Sequence, residues 1–395
     1  MASGTVWQRE ETSMVERSMH PSPRAVDIYR RLGVRTVING RGATTAVGGS
    51  LMPPEVLAAM AEAATAFVIL DELNATIGKT IAEITGAEAG YVTSGSAAGM
   101  ALAAAACIAG TDPEKIRRLP DSEGMRNEII IHRAHRLPYD QMYRLGGAKL
   151  VEIGIPSGTE PWELERAITD RTAAVAYHDS PYVGPGALDF ATVAEIAHAR
   201  GVPVIVDAAS TLPPVDHLRR WIRWGADLVI YSGGKGIRGP QETGILAGRA
   251  DLIEAAQASG NPHAGIGRGM KVSKEAMVGL WVALQRFLET DHEAEFRTHL
   301  SEAEIIASGL RECPHARCEI DADWEAWPAP IVRIFPRDGR WRPEAVRDAL
   351  LAGEPPIAIN AEHGGLMINT HCLLPGDAEV IADRLREMLC ATQRG

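Results

Sequence analysis

Two short runs, 202-VPVIVDAA-209 and 227-DLVIYS-232, constrain the fold most, because each is apolar over most of its length. A strand that is covered on both faces reads as a nearly continuous apolar run, whereas a strand with one solvated face alternates. A helical stretch over residues 216–226 separates the two runs. This strand–helix–strand order predicts an α/β fold built on a mostly parallel sheet with helices on both faces.

The pattern divides the chain into three parts. Strands and helices alternate over residues 29–270, which predicts a large α/β domain. Residues 271–395 begin with a long helical pattern over 275–296 that continues past His299, and then form a small α+β unit. Residues 1–28 are polar, carry Pro21 and Pro23 and lack the apolar core of a signal peptide, so we predict an N-terminal arm or tail.

Charge and hydropathy exclude some partners. The chain has 40 basic and 51 acidic residues and a net charge of −11, whereas a general nucleic-acid binder usually has the opposite sign. No apolar run approaches the ~20 residues that span a bilayer. The five cysteines are scattered, and CPHARC at 313–318 fits no common zinc pattern. We therefore expect no nucleic acid, membrane or metal partner, and reduced thiols in a cytoplasmic protein.

Two charged residues follow the apolar runs. Asp207 ends the first run, where a buried carboxylate is costly without a cationic partner. Lys235 comes three residues after the second run, in the glycine-rich stretch SGGKGIRG. Ligands of open α/β sheets bind at the carboxyl ends of the strands, so we expect both side chains to face one crevice. We also expect the glycines to make room for a ligand beside Lys235.

A third feature is 93-TSGSAAGMALAAAA-106, in which a Ser/Gly turn opens an Ala-rich helix. The free N–H groups and the helix dipole at such an end attract an anion. Alone, the turn is equally consistent with a helix cap. The expected anion contacts are Ser94, Gly95, Ser96 and Ala97.

Together the three features describe one ligand, pyridoxal 5′-phosphate (PLP). Its phosphate would bind the turn at 94–97, its ring nitrogen would meet Asp207, and its aldehyde would form an imine with Lys235. Ser232 is placed for a second bond to the phosphate. The lysine would anchor the cofactor and later move a proton.

The sequence at this point resembles the fold type I PLP-dependent enzymes, and more narrowly the selenocysteine synthase-like superfamily, which includes D-glucosaminate-6-phosphate ammonia-lyase-like proteins. The resemblance implies the transferase fold of these enzymes, with a small C-terminal domain, and a homodimer or higher homo-oligomer with sites at subunit interfaces. It spans most of residues 30–390. The matching stretches are 37-VINGRGATTAVGGSLMPPEVLAAM-60, 86-GAEAGYVTSGSAAG-99, 206-VDAAS-210, 230-IYSGGKGIRGPQETGIL-246 and 267-GRGMKVSKE-275.

The resemblance implies further site residues. Ser210, in VDAAS, joins the cofactor set, and a residue within 132–154 usually covers the PLP ring. We choose His135 for this role, with His132 as the alternative; the competing interpretation is a loop histidine bonded to the backbone. Arginine forks suit a substrate carboxylate or phosphate, although any of them can instead form a structural ion pair. The candidate arginines are Arg41, Arg238, Arg268 and Arg333.

We therefore expect a PLP-dependent lyase that acts on a small α-amino acid with a β-hydroxyl or other β-leaving group. Lys235 would remove the α-proton, the β-group would leave, and the products would be a 2-oxo acid and ammonia. A racemase or aldolase uses related chemistry and stays open. A selenium transferase on seryl-tRNA is disfavoured by the acidic charge. A non-catalytic PLP-fold binding protein is disfavoured because both Lys235 and Asp207 are present.

Overall fold

A seven-stranded sheet forms the centre of the large domain in the computed structural model, which describes residues 27–390. The strand order is β2-β8-β7-β6-β5-β3-β4, and every strand except β8 runs in the same direction. The strands are β1 (Ile38–Asn39), β2 (Ala89–Thr93), β3 (Glu128–His132), β4 (Lys149–Ile153), β5 (Thr172–His178), β6 (Val204–Asp207), β7 (Leu228–Ser232), β8 (Gly244–Gly248), β9 (Ala316–Asp321), β10 (Ile331–Pro336), β11 (Ile357–Ala358), β12 (Asn360–Glu362) and β13 (Gly365–Asn369).

Helices cover both faces of this sheet, as the sequence predicts. The helices are α1 (Asp27–Leu32), α2 (Pro54–Ala63), α3 (Leu70–Thr85), α4 (Gly95–Ala109), α5 (Pro113–Arg118), α6 (Gln141–Leu145), α7 (Pro161–Ala167), α8 (Phe190–His198), α9 (His217–Arg223), α10 (Ala250–Ser259), α11 (Lys274–Glu289), α12 (His292–Gly309), α13 (Pro343–Ala352) and α14 (Asp377–Leu389). Among residues 27–390, no helix is long and apolar enough to cross a membrane.

The central strands are buried because alternate side chains enter two different apolar cores. Val204 and Val206 of β6 belong to the core that includes residues of α8, α9 and α11, whereas Ile205 belongs to the core on the other face with residues of α4 and α10. All five residues of β7 are buried as well. Strands covered on both faces explain why the two runs read as continuously apolar.

The small domain is an antiparallel sheet of order β12-β13-β10-β9 packed against α12, α13 and α14. Strand β1 pairs in parallel with β11, and Ile38 lies in the apolar core of this domain. The predicted division between residues 270 and 271 stays a prediction. Of the predicted arm at 1–28, all but the last two residues lie outside the described part of the chain.

The expectation of one long helix continuing from 275 past His299 is wrong. The structure ends α11 at Glu289 and begins α12 at His292. The Asp291 side chain accepts a hydrogen bond from the Ala294 N–H at 2.9 Å and so caps the new helix. The helical periodicity continues through the break because the capping residue lies within an acidic stretch that also suits a helix surface.

The expectation of five reduced thiols is wrong for two cysteines. Cys313 follows α12, Cys390 follows α14, and the two form a disulfide with their Cα atoms 5.0 Å apart. Their sequence positions, 77 residues apart, gave no signal of this pairing. Cys107, Cys318 and Cys372 are free thiols.

Candidate active site

The carboxyl ends of the parallel strands lie at one edge of the sheet. Asp207, Ser232 and the loop that carries Lys235 lie at this edge. Strands β2 and β7 run in the same direction because both are antiparallel to β8, which lies between them. The register places Thr93, Gly244 and Ser232 in one row across these strands. The residues at the strand ends are Thr93 of β2, Ser232 of β7, Asp207 of β6, His178 of β5 and His132 of β3.

Asp207 ends β6 at this edge, and Lys235 lies in the loop that follows the neighbouring strand β7. The Lys235 Nζ donates to Ser210 Oγ at 2.8 Å. Asp207 is 9% exposed, and its Oδ1 accepts from the Ala209 N–H at 3.1 Å. Burial lowers the pKa of the Lys235 amine, while the Asp207 carboxylate acts in the opposite direction. The protein therefore favours the neutral amine that a nucleophile or base requires.

The turn at 94–97 opens α4 next to this pair of strands. The helix begins at Gly95, and its N-cap Ser94 makes no side-chain cap bond to the helix. Residues 94–97 are half-buried, whereas the residues on either side are buried. A Cβ on Gly244 would lie 2.4 Å from the Gly95 carbonyl carbon, so the strand row that includes Ser232 approaches the helix start closely. The first N–H groups of α4 are therefore available to an anion at the sheet edge.

These three groups match the three functional groups of PLP. An anion site at an N-terminal helix end suits the phosphate, a buried carboxylate suits a protonated ring nitrogen, and an amine with a lowered pKa suits the aldehyde. All three lie at the carboxyl edge of one sheet. The residues present fit the cofactor.

The structure corrects the expected purpose of the glycines around Lys235. A Cβ on Gly236 would lie 2.0 Å from the Leu212 carbonyl oxygen, and one on Gly233 would lie 2.1 Å from Thr243 Oγ1. A Cβ on Gly234 would likewise meet protein backbone, at 2.5 Å. At these positions the glycines allow the loop to pack against the protein itself, so the expectation that they make room for a ligand is wrong.

His135 lies in the short 3₁₀ helix Arg133–His135 directly after β3. Its Nδ1 accepts the backbone N–H of His178 at 3.2 Å, and its ring meets Tyr177 edge-on at 4.6 Å. Burial, together with the His132 and His178 rings, lowers the pKa of His135 to about 3. Burial also lowers the pKa of His132 to about 4. Both rings are therefore neutral near pH 7, and the role of His135 stays a prediction.

His178 is a site residue that the sequence reasoning missed. It ends β5 and is directly opposite Asp207 in the register, so both side chains lie on the same face of the sheet. Its Nε2 lies 3.4 Å from the Tyr143 hydroxyl, and its Nδ1 is buried without a hydrogen-bond partner. The rule that selected Asp207, a polar residue ending an apolar strand, also selects His178 in 172-TAAVAYH-178.

Two of the four candidate arginines are already paired with carboxylates. Arg238, at a φ of +60°, has its Nη1 3.4 Å from Glu295 Oε1. Arg333 has its Nη2 3.7 Å from Asp321 Oδ2, and its guanidinium lies 5.6 Å from the Trp327 ring centre. These contacts match the structural ion pairs that the sequence left open as an alternative.

The other two arginines contact amides. The Arg41 Nε donates to Asn360 Oδ1 at 2.9 Å and is part-buried, where the β1 segment meets the small domain. The exposed Arg268 donates to Asn261 Oδ1 at 3.0 Å. A neutral amide does not compensate the charge of a guanidinium. Arg41 is therefore part-buried and keeps a positive charge that can bind an anion.

The fold and the edge residues define the class of fold type I PLP-dependent enzymes. The solved structure of D-glucosaminate-6-phosphate ammonia-lyase superposes with a TM-score of 0.80 at 34% identity, covering 92% of this chain and 98% of that one. A structure of SPT with a PLP internal aldimine superposes with a TM-score of 0.58 at 15% identity, covering 89% of this chain and 87% of that one. This similarity supports the fold and nothing beyond it.

The family described as SelA, L-seryl-tRNA selenium transferase, matches residues 37–301, and the chain belongs to this family. D-glucosaminate-6-phosphate ammonia lyase of Salmonella typhimurium is 36% identical over 375 residues, 92% of this chain and 98% of the relative. The 5′-C-glycyluridine monooxygenase-decarboxylase of a Streptomyces species is 34% identical over 373 residues, 91% and 92% of the two chains. The predicted family, the fold class and an enzyme of the ammonia-lyase type are confirmed.

Replacing Gly236 with alanine is expected to lower the free energy of unfolding by about 1–3 kcal/mol, since the new methyl group overlaps the Leu212 carbonyl oxygen. Chemical denaturation measures the change. The control is Gly158→Ala, because a Cβ at Gly158 has no atom within 4 Å. Equal loss of stability in the two variants would contradict the packing role of Gly236.

Proposed function

We propose that this protein is a PLP-dependent lyase that removes ammonia from a β-hydroxy α-amino acid of the sugar-acid class. The observation that carries the proposal is the half-buried Lys235 amine, held by Ser210 at 2.8 Å beside the strand that ends in Asp207. The substrate class follows from the relative named as an ammonia lyase of D-glucosaminate-6-phosphate, which aligns over nearly the whole chain.

The cofactor would be held by residues at the carboxyl ends of β2, β6 and β7. Lys235 would bind the aldehyde carbon, Asp207 the ring nitrogen, and the turn at 94–97 with Ser232 the phosphate. His135 is neutral near pH 7, so we assign it to covering the ring rather than to proton donation. Ser210 would orient the Lys235 amine.

PLP, when bound, withdraws electrons from the α-carbon of an attached amino acid and makes its hydrogen acidic. The chain supplies the base. Because burial lowers the pKa of Lys235, the Nζ that the substrate amine would release from the aldehyde carbon is neutral in a larger fraction of molecules and would accept the α-proton. The C–O bond at the β-carbon would then break, and the hydroxyl would leave as water by taking the proton held on the Lys235 Nζ. Hydrolysis of the dehydrated product uses one water and gives a 2-oxo acid and ammonia, so the atoms balance.

We assign the substrate carboxylate to Arg41. Arg238 and Arg333 are paired with Glu295 and Asp321, whereas Arg41 donates to the neutral amide of Asn360. The segment after Arg41 packs on the Lys235 loop, where the Ser50 Oγ donates to the Gly234 carbonyl at 3.0 Å. This connection links the arginine to the amine through a short stretch of backbone.

The test of the function is an absorbance scan of the purified protein with PLP, for wild type and Lys235→Ala. We expect a visible band near ~420 nm that depends on Lys235, and release of ammonia and 2-oxo acid from D- or L-β-hydroxy amino acids or amino-sugar acids. Aldehyde release or inverted chirality would replace the lyase by an aldolase or racemase. Oxygen consumption with CO₂ release would favour the reaction named for the Streptomyces relative. Absence of the band would refute the cofactor assignment.

Replacing Arg41 with methionine is expected to raise KM for the amino acid by about tenfold to a hundredfold, the range of one lost charged hydrogen bond, with a smaller effect on kcat. Steady-state kinetics with a saturating cofactor measure both constants. Arg268→Met is the control, since its guanidinium also contacts an asparagine but is exposed. A KM effect confined to Arg268→Met would reverse the assignment.

We also propose a homodimer or higher homo-oligomer. Large apolar side chains are exposed between α2 and α3, where Phe67 is fully exposed and Ile69 is 63% exposed. Leu57 on α2 and Trp281 on the adjoining α11 are exposed as well. Large exposed apolar side chains on adjoining elements are typical of protein interfaces, and the resemblance makes a second copy of this chain the expected partner.

Phe67→Glu is expected to shift the assembly toward monomer because the charge must be desolvated at the interface. Light scattering after size-exclusion chromatography measures the mass. Leu351→Glu serves as the control, since Leu351 is 43% exposed but lies on α13 of the small domain. An unchanged mass for Phe67→Glu, or a monomeric wild type, would refute this interface.

We propose a cytoplasmic location. Three of the five cysteines, Cys107, Cys318 and Cys372, are free thiols, and an oxidising compartment favours paired cysteines. The proposed substrate is a small charged amino acid, and such metabolites are present in the cytoplasm.

A further inference from the structure

The loop at 208–214 holds Lys235 in place from the side. It connects β6 to α9 and carries Ser210, whose Oγ is 2.8 Å from the Lys235 Nζ. The Leu212 carbonyl oxygen of the same loop packs so tightly on Gly236 that a methyl group there would be 2.0 Å away. Movement of this loop would therefore shift both Ser210, which contacts the Lys235 amine, and Leu212, which packs on Gly236.

His217, the first residue of α9, fixes the loop. Its side chain is 2% exposed, and its Nδ1 lies 2.7 Å from the Thr211 carbonyl oxygen. A carbonyl and a carboxylate only accept hydrogen bonds, so Nδ1 donates to Thr211 and Nε2 is the donor toward Glu325. The His217 carbonyl in turn accepts the Tyr231 hydroxyl at 2.8 Å, which ties the histidine backbone to β7.

The second ring nitrogen of His217 faces the small domain. Its Nε2 lies 3.3 Å from Glu325 Oε2, and the Arg220 Nη2 lies 2.6 Å from the same oxygen. The Arg220 guanidinium and then the His217 ring lower the pKa of the Glu325 carboxyl, so Glu325 is charged near pH 7. Asp179 after β5 and Asp216 before α9 are the other carboxylates that act on this group of charges.

Glu325 lies in the 321–327 turn, which joins β9 to β10 in the small domain. Its backbone N–H donates to Asp323 Oδ1 at 3.0 Å, and Trp327 Nε1 donates to Asp321 Oδ2 at 2.9 Å. These bonds make the turn a defined unit. Because Glu325 contacts His217 and Arg220, the turn connects the small-domain sheet to α9.

We propose that Glu325 is a positioning residue that acts through His217 on the Lys235 amine. The contacts run from the Glu325 carboxylate to the His217 ring, to the Thr211 carbonyl, and along one peptide to Ser210 and Lys235. The structural coupling is independent of the cofactor, whereas its effect on proton transfer rests on the proposed function. The small domain thus sets how firmly the base is held.

The coupling is tested by hydrogen–deuterium exchange of the protein without cofactor. In Glu325→Ala, the amides of residues 208–212 and 235–239 are expected to exchange at least about threefold faster, because the loop loses its anchor on the small domain. The control Glu312→Ala removes an exposed glutamate of the same domain and is expected to leave both segments unchanged. Unchanged exchange in Glu325→Ala, or equal acceleration throughout β5, would overturn the proposal.

A double-mutant cycle with PLP bound tests the route. Ser210→Ala removes an acceptor of the Lys235 Nζ hydrogen, so the pH midpoint of the visible band is expected to fall by roughly half a unit to one unit. Glu325→Ala is expected to lower the midpoint less, and to add nothing in the Ser210→Ala background. Additive shifts would overturn the route. A wild type without a Lys235-dependent band would refute the proposed function, while the exchange experiment still decides the coupling.

Discussion

The parallel pairing of β6 with β7 is the constraint on which the rest of the site depends. It places a carboxylate and an amine at neighbouring strand ends, where burial disfavours the charge on Lys235 and Asp207 favours it. The net effect lowers the pKa of Lys235, so the pairing sets how readily its amine is neutral. The Ser210 loop, the glycine packing and His217 all serve to hold this pair in one geometry.

The sequence predicts the parts of the site that follow from strand ends. A polar residue after an apolar strand identifies Asp207, a Ser/Gly turn before an Ala-rich helix identifies 94–97, and a lone lysine in a glycine loop identifies Lys235. The structure brings all three to one edge because parallel strands share a direction. The sheet order is not readable from the chain, since the antiparallel β8 inserts between β2 and β7.

The remaining features depend on contacts between residues far apart in sequence. Nothing near Glu325 indicates that it meets His217, which precedes it by 108 positions. The Cys313–Cys390 disulfide and the ion pairs of Arg238 and Arg333 have the same character. A short capping interaction at Asp291 also overrides the continuous helical pattern. Periodicity predicts elements, whereas these interactions require the packed fold.

The position of β8 has a consequence for how the protein is made. The turn at 94–97 can contact Gly244 and the strand row that includes Ser232 only after about 150 more residues have been synthesised. Strand β1, which ends at Asn39, can pair with β11 only after Ile357–Ala358 has been synthesised. A ribosome must therefore release most of the chain before the cofactor site can close, and the first described strand is among the last to be paired.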